Sequence, residues 1–381
     1  MAPNASPFYS PVVRDDDQEF TSATFEIVSK QIYPALQRYR NFLAGSYIQQ
    51  ARTVLSITAN PNGAACYEAS LQAYTTLDRS GKEVFELGQK TVAANKARMI
   101  ELGKLAYGLD DFAQIIKKAK ADKSERFTNK EELLKFSREI VQHAELEMPN
   151  WVGKMPKLEV QVVPFEEHEE GTGRSAHYRP GNDDRPGEYR IPLNNPEEQS
   201  RGDAETTAFH EAWPGHHLQS AIGQSVEGLH PITQIFWFSG PGEGWARYSE
   251  ALAEEMGLYT TTTAPIIRRA WPARGMVVDP GIHLFGWTRE QAIDFMMESG
   301  RFPDSRSDEM VDRIAILPGQ LTSYDSGGLE ILALRKQAEE AMGADFNIRE
   351  FHDRVLANGT IPLRQLRTSI EAWIADYQAQ N

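Results

Sequence analysis

The sequence predicts a mainly α-helical protein with one small β-sheet, which places it in the α-rich part of the α+β class. The main support is helical periodicity, found after residue 200 and also on one face of a helix that begins after residue 81. The apolar residues of that face are Phe85, Val92, Met99 and Leu102. Residues 158–163, in contrast, alternate in polarity and are rich in β-branched side chains, which is typical of a strand.

A second strand is predicted over residues 188–193. It contains Pro192, which favours a position at the edge of the sheet or at the end of the strand. An edge strand could hold an extended peptide by main-chain hydrogen bonds, which recognise length and direction rather than side chains. An ordinary β-hairpin is the alternative interpretation of this pair of strands.

We expect three segments along the chain. Residues 1–15 are rich in proline and predict an extended N-terminal arm. Residues 16–150 predict a helical lobe, whose last helix opens with capping-box spacing at residues 128–131 and reaches about Glu147. A break at residues 149–156 marks the start of a second lobe, residues 151–381, with the short sheet and the C-terminal helices. We expect the two lobes to form one integrated unit.

Composition and charge restrict the partners. The chain of 381 residues has 54 acidic and 40 basic residues and a net charge of −14, which argues against nucleic acid or an anionic membrane as a partner. The sequence shows no membrane-length apolar run and no signal peptide, so we expect a cytoplasmic location. Cys66 is the only cysteine, which excludes a disulfide within the chain and a multi-cysteine metal site.

The most informative stretch is rich in histidine. His210, His216 and His217 fall within eight residues, and Glu211 directly follows the first of them. Two imidazoles and an adjacent carboxylate are what a zinc hydrolase needs, namely two nitrogen ligands and a base for the attacking water. In the familiar His-Glu-x-x-His helix, the second histidine would occupy position 214, which is a proline here. The next histidine, His216, comes two residues later, so the pattern has two residues added. The proline must bend or break the helix. A polar contact near a helix end is the alternative.

A second segment, residues 240–250, begins with turn residues and continues as a helix with Glu243 on its first turn. It looks like the Asn-Glu-Gly-Phe-Ala-x-Tyr-x-Glu segment that supplies a zinc ligand in zinc aminopeptidases. For Glu243 alone, an exposed acid favoured by the helix dipole is the alternative. Because both segments occur in one chain, we expect a catalytic site that holds one Zn²⁺ per chain.

The chain from His210 to Gln219 resembles the signature of the bacterial domain-of-unknown-function family 885. The resemblance covers nearly the whole chain from about residue 30, with further matching blocks at residues 61–75, 279–292, 318–324 and 351–363. It implies a helical zinc-metallopeptidase-like architecture with a small sheet before the metal-binding helix. Family members usually carry a further helical stretch before the matching part and often a secretion signal, so we expect that this chain begins late.

The resemblance also implies roles for individual residues. His210 and Glu243 are the first two metal ligands, and the third is His216 or His217. On an unbroken helix His217 would lie about 10 Å from His210. Gly215-His216 resembles the end of the His-Glu-x-Gly-His motif of related helical peptidases, so His216 is preferred. His217 and Glu250 are then candidates to support the ligands or to replace one of them.

Glu211 is the predicted general base. Helical zinc peptidases often place a tyrosine and a histidine opposite the metal, which makes Tyr324 and His283 candidates to stabilise the oxyanion; a core position is the alternative for each. Tyr189 and Arg289 are candidates for substrate binding, with ordinary ion pairing as the alternative for Arg289.

The leading functional prediction is a zinc-dependent hydrolase of peptide or amide bonds, with water activated by the metal and Glu211. The alternatives are a metal-dependent hydrolase of a small non-peptide amide or ester, and a binding subunit that keeps its metal. The expected partner is a peptide or small amide. Self-association or pairing with a missing N-terminal segment is also expected, unless packing within the chain covers an apolar stripe made by Tyr33, Leu36, Tyr39, Phe42 and Leu43.

Overall fold

The computed structural model describes residues 2–230 and 236–380 and forms two compact units, Met1–Val54 and Leu55–Asn381. The boundary predicted near residue 150 is therefore wrong, because that break lies inside the second unit. There the preceding helix packs against both the first strand and the helix that carries His210. The mainly α-helical fold with one small sheet is confirmed.

The first unit consists of short turns followed by a long helical path. The path runs through α1 (Gln18–Ile27), α2 (Tyr33–Phe42) and α3 (Ile48–Gln50), joined by π-helical segments at Val28–Ile32 and Leu43–Tyr47. The predicted extended arm is instead three 3₁₀ turns, Pro3–Ala5, Pro7–Tyr9 and Val12–Arg14. Prolines with a fixed φ open the first two of these turns, which explains the difference.

The apolar stripe on α2 is largely exposed. Leu36, Tyr39 and Phe42 are 47%, 61% and 52% exposed, whereas Val28, in the preceding turn, is buried. The expectation of a partner for this stripe stays a prediction.

The second unit is built from helices around one three-stranded sheet. Its helices are α4 (Gly63–Thr75), α5 (Gly81–Tyr107), α6 (Phe112–Ala121), α7 (Lys130–Glu147), α8 (Arg201–Glu211), α9 (His216–Ser225), α10 (Ser239–Glu255), α11 (Ala264–Ile267), α12 (Gly275–Leu284), α13 (Arg289–Met297), α14 (Asp304–Ile316), α15 (Ser323–Met342), α16 (Ile348–Leu356) and α17 (Leu363–Gln380). In the described part of the chain, no helix has both the length and the apolar character needed to span a membrane.

Two helix starts show how local sequence defines these elements. The side chain of Ser80 caps α5 and that of Glu83 bonds back to it, which completes a capping box at the predicted start. The box before α7 is displaced by one residue from the prediction. Asn129 accepts a hydrogen bond from the Glu132 amide, and the Glu132 carboxylate accepts one from the Thr128 amide.

The sheet has the strand order β1-β3-β2, with β1 at Val160–Pro164, β2 at His177–Arg179 and β3 at Gly187–Ile191. The two predicted strands, β1 and β3, pair in parallel, so the hairpin alternative is wrong. Pro192 follows the last residue of β3, as expected for a strand end. However, β3 is the central strand, and the edge near the histidine-rich segment is formed by β2, which the sequence did not predict.

The main core lies between this sheet, α7, α8, α10 and the C-terminal helices. Helices α10 and α15 make the most extensive pairing of the second unit. Their close approach depends on glycine. A Cβ added at Gly244 would lie 2.5 Å from the Cα of Gly327, so larger residues would force the two helices apart. This contact places the first turns of α10 and α15 side by side.

Candidate metal centre

The histidine-rich segment contains two helices rather than one. Helix α8 ends at Glu211 and α9 begins at His216, with a cis peptide bond between Trp213 and Pro214. The predicted interruption of the helix by proline is confirmed. Gly215 makes the reversal possible, because a Cβ at this position would lie 1.9 Å from the carbonyl oxygen of His210.

The connection between α8 and α9 is anchored to α10. The carbonyl oxygen of Pro214 accepts hydrogen bonds from the Trp245 indole at 2.9 Å and from the Ser249 hydroxyl at 3.2 Å. Both donors lie on α10, the helix that carries Glu243. These hydrogen bonds fix the connection between α8 and α9 against α10, and the three elements form one buried assembly.

His210, His216 and Glu243 converge in this assembly. The Nε2 atoms of both histidines lie 3.4 Å from the same carboxylate oxygen, Oε2 of Glu243. One ligand atom from each residue lies within 4.8 Å of the others. Tetrahedral zinc with bonds of about 2.0–2.2 Å would separate its ligand atoms by about 3.4 Å. The donor types and spacing therefore fit a zinc ion held by these three residues.

The structure brings His216, and not His217, to the cluster. His217 is fully buried, and its Nε2–H donates to the carbonyl oxygen of Leu158 at 3.0 Å. Its Nδ1 then accepts from the Tyr178 hydroxyl, also at 3.0 Å. Burial lowers the pKa of His217 to about 4, so the ring is neutral. His217 thus connects α9 to the sheet region.

A buried chain of charges holds His210 in position. His210 donates through Nδ1 to Oε1 of Glu250 at 2.8 Å, which leaves Nε2 directed at the cluster. Glu250 also accepts from Arg247 at 2.7 Å, and Arg247 lies 3.1 Å from Asp325. A carboxylate on the second nitrogen of a metal-binding histidine fixes the ring and increases its basicity. The predicted supporting position of Glu250 is where the structure places this residue.

The electrostatics of the cluster reflect mutual pairing. Burial opposes the charged form of Glu243, but hydrogen bonds from His210 and His216 hold the pKa of Glu243 well below its usual range. Burial would also lower the pKa of His210, yet its bonds to Glu243 and Glu250 raise the pKa to about 10. Both pKa shifts show that the cluster favours positive charge beside Glu243. No lysine or arginine belongs to this cluster of three residues, so a bound cation would suit it.

Glu211 lies beside the cluster with the properties of a base. It is 9% exposed, and its Oε2 accepts a hydrogen bond from the backbone amide of Tyr178 at 2.8 Å. Burial raises the pKa of Glu211, while the positive charges of His210 and His216 oppose the rise. A carboxylate with a raised pKa, fixed in orientation by strand β2, is a stronger base than an ordinary carboxylate and is suited to proton transfer.

Tyr324 lines the same cavity as Glu211. Its ring stacks on that of His210, with centroids 6.3 Å apart. Burial, together with the charge of Glu243, raises the pKa of Tyr324 to about 12 despite the nearby Arg313. The hydroxyl therefore keeps its proton and remains a hydrogen-bond donor.

His283 does not belong to the site, which corrects the predicted oxyanion role. It is buried in α12, where Nδ1 accepts from the Ile57 amide and Nε2 bonds to the Ile314 carbonyl oxygen, both at 3.1 Å. It is absent from the residues that line the cavity. Both ring nitrogens form hydrogen bonds with backbone groups, so we assign His283 a structural role.

The two predicted substrate contacts also need correction. Tyr189 is 2% exposed and belongs to the core, on a strand that is paired on both sides. Arg289 forms ion pairs with Asp308 and Asp312, both at 2.5 Å, and does not line the cavity. Tyr189 is buried in the core and Arg289 is ion-paired, and both facts depend on the tertiary structure.

The cluster opens into a cavity of about 1160 Å³. Its lining includes β2 with its flanking loops, Arg306 and Arg313 of α14, and the aromatic residues Phe236 and Trp237. Residues that sequence reasoning missed are Tyr178, Ser220, Arg306 and Arg313. The seven-residue spacing of the two arginines shows that they share a face of α14, but nothing in the sequence indicates what that face contacts.

Comparison with known proteins gives a family. The model of a family described as "Bacterial protein of unknown function (DUF885)" matches residues 1–370. The chain belongs to this family. None of the curated proteins compared with the chain matches it.

Two solved structures show the same fold. One is described as "The crystal structure of the putative lipoprotein from Colwellia psychrerythraea"; it is 27% identical, with a TM-score of 0.91 over 99% of this chain and 68% of that one. The other is described as a "putative lipoprotein of unknown function from Shewanella oneidensis", 19% identical, with a TM-score of 0.73 over 96% of this chain and 69% of that one. The predicted cytoplasmic location receives no support from these comparisons.

Proposed function

We propose that the protein is a zinc-dependent hydrolase of peptide or amide bonds. The observation that carries this proposal is the convergence of His210, His216 and Glu243 in a large cavity, directly beside the buried carboxylate of Glu211. A purely structural metal site is normally closed by four protein ligands, whereas a catalytic one keeps an open position. Among the described residues, only these three form a cluster of metal-ligand spacing.

Each residue near the cluster has a defined task in such a reaction. A zinc ion there would supply a Lewis acid that polarises the substrate carbonyl and acidifies water. Glu211 accepts a proton from the attacking water and returns it to the leaving amine. Tyr324 donates a hydrogen bond to the oxygen that gains negative charge. Glu250 holds the ring of His210 in position.

Strand β2 supports a substrate with a peptide-like backbone. The Tyr178 amide points away from β3, towards Glu211. In an antiparallel pair, the amide and the carbonyl of one residue face the same side, so the Tyr178 carbonyl also faces away from the sheet. An extended chain placed along this edge would find an acceptor next to the base. This geometry favours peptides over small esters.

The proposal is tested by digestion of a peptide library with the zinc-loaded protein, with and without a chelator. Cleavage products should appear, disappear with the chelator and return when zinc is restored. Glu211→Gln should keep the fold and the metal and lose turnover by about 10²-fold or more, because an amide cannot accept the proton. Absence of cleavage from peptides, together with hydrolysis of simple amides or esters, would favour the non-peptide alternative. No hydrolysis of any kind with zinc bound would favour the binding subunit.

We also propose that the protein acts outside the cytoplasm. The support is that the 27% identical structure from Colwellia psychrerythraea is described as a "putative lipoprotein", and lipoproteins as a class are exported. Fractionation of the producing cells, followed by immunoblotting, tests this proposal. Recovery of the protein with cytoplasmic markers alone would contradict it.

A further inference from the structure

Three arginines line the cavity, and their pairing differs. Arg174 forms an ion pair with Glu169 at 3.0 Å, and Arg306 forms one with Glu309 at 2.6 Å. Arg313, one of the residues on the cavity side of α14, has no such pair: within residues 2–230 and 236–380, no carboxylate lies within 4.0 Å of it. Of the three arginines that line the cavity, Arg313 is therefore the one whose positive charge is not balanced by a described acidic side chain.

Arg313 is held in place by neutral groups. Its Nη2 donates to the amide oxygen of Gln320 at 2.7 Å, and its guanidinium lies beside the Tyr324 hydroxyl. The side chain is half-buried. A fixed guanidinium with remaining donors, directed at a cavity, is the usual arrangement for binding a carboxylate or another planar anion.

The position of Arg313 relates this anion to the reaction. Arg313 contacts Tyr324, and the ring of Tyr324 stacks on the ligand His210. In a peptide cleaved before its last residue, the scissile carbonyl carbon and the terminal carboxylate carbon are three bonds apart, at most about 4.3 Å along the chain. The Tyr324 hydroxyl is also within hydrogen-bonding reach of Glu243, so a single hydroxyl group links the cluster to Arg313. This arrangement suits a carboxylate one or two residues beyond the cleaved bond.

Charge in the rest of the cavity would make this contact selective. The other ionisable groups at its centre include the carboxylates of Glu211 and Glu243, and the chain as a whole has a net charge of −14. The other two arginines of the lining, Arg174 and Arg306, are already paired with carboxylates. Arg313 offers the one unbalanced positive position in the described wall, and so would fix the direction of binding.

We propose that Arg313 binds the free C-terminal carboxylate of the substrate, so that the enzyme removes one or two residues from the C-terminus of short peptides or N-acylated amino acids. This inference rests on the proposed hydrolase function. It assigns the carboxylate contact to Arg313 rather than to Arg289, whose charge is already paired.

The test uses the full zinc-loaded chain and two matched probe mixtures: N-acetyl tripeptides of random sequence with a free carboxylate, and the same tripeptides ending in a carboxamide. Mass spectrometry measures the cleavage of both mixtures by the wild type, Arg313→Met, Arg313→Lys and Arg289→Met. Arg289→Met is the control, because this residue lies outside the cavity. Arg313→Lys keeps the charge if the methionine variant is poorly folded.

The wild type should cleave the acids about 10- to 100-fold faster than the amides, the usual effect of a hydrogen bond to a charged group. Arg313→Met should remove the preference, so that its ratio of acid to amide cleavage falls to about one. Arg313→Lys should keep part of the preference and Arg289→Met all of it. Equal cleavage of acids and amides by the wild type, or a preference that survives in Arg313→Met, would overturn the inference.

Binding separates this inference from the proposed function. Thermal stabilisation of zinc-loaded Glu211→Gln by each mixture measures recognition without turnover. The acids should stabilise this variant more than the amides, and adding Arg313→Met should remove the difference. If the wild type cleaves neither mixture, the hydrolase proposal fails, and the carboxylate site is then decided by this binding difference. Equal stabilisation by both mixtures overturns the carboxylate site.

Discussion

Replacement of Glu250 by glutamine tests whether His210 is a metal ligand supported by a carboxylate. Glu250 is 3% exposed and accepts from His210 Nδ1 at 2.8 Å and from Arg247 at 2.7 Å. Glutamine keeps the size of the side chain but removes its charge, and its NH₂ group would face one of these two donors. The ring of His210 loses its fixed orientation and part of its basicity.

The expected effect is a 10- to 100-fold loss of zinc affinity, the usual result of removing the carboxylate behind a metal-binding histidine. This corresponds to about 1.4–2.7 kcal/mol. Competition with a chromophoric chelator measures the zinc dissociation constant for the wild type and the variant. Glu254→Gln is the matched control, because Glu254 lies on the same helix and pairs with Arg268 and Arg269 rather than with a candidate ligand.

The control should bind zinc with wild-type affinity. The reasoning is refuted if Glu250→Gln binds zinc as tightly as the wild type. It is equally refuted if Glu254→Gln loses as much affinity, since the effect would then be a general one on α10.

Three further predictions follow from the same structure. Tyr324→Phe should lower kcat by about 10²-fold with little change in zinc content, because one donor to the oxyanion is lost; unchanged kcat would remove Tyr324 from the reaction. Asp279→Ala should lower the free energy of unfolding by about 2–4 kcal/mol in urea titrations, since it leaves buried donors of Tyr67 and Gly319 without an acceptor; a loss below about 1 kcal/mol would contradict this. Burial lowers the pKa of His352 to about 4 in the folded protein, so the unfolded chain binds a proton at this residue more readily. The contribution of His352 to the free energy of unfolding should therefore be complete above about pH 6.5 and should decline as the pH falls towards 4. Urea titrations across this range should show a smaller decline in His352→Gln than in the wild type, and identical pH profiles would exclude His352 as the cause.

The structure brings together His210, His216 and Glu243, which the sequence proposed as ligands on local signals. His210, Glu211 and Pro214 show from spacing alone where the helix must break. The helix of Glu243 was also predicted, but it begins at Ser239, so residues 240–242 are helical rather than a turn and Glu243 lies beyond the first turn. The choice between His216 and His217 depended on the path of the chain after Pro214. That path is determined by contacts with Trp245 and Ser249 on another helix, which no local pattern contains.

The incorrect predictions share a physical cause. His283, Tyr189 and Arg289 have the right chemistry, but each is occupied by a distant part of the chain: by the Ile314 carbonyl, by strands on both sides, or by aspartates of α14. Strand β2 was missed because it has only three residues. Its sequence carries almost no periodic signal, although it forms the edge beside Glu211. Arg313 could not be selected because the absence of an acidic partner is a property of the folded wall.

The zinc content of three purified proteins tests the central claim most directly. After loading with zinc and removal of excess metal, elemental analysis should find about one zinc per chain in the wild type and in His217→Ala. His216→Ala should have lost most of its zinc while keeping its helical circular dichroism spectrum. A wild type without bound zinc, or loss of zinc in His217→Ala with retention in His216→Ala, would contradict the site built from His210, His216 and Glu243.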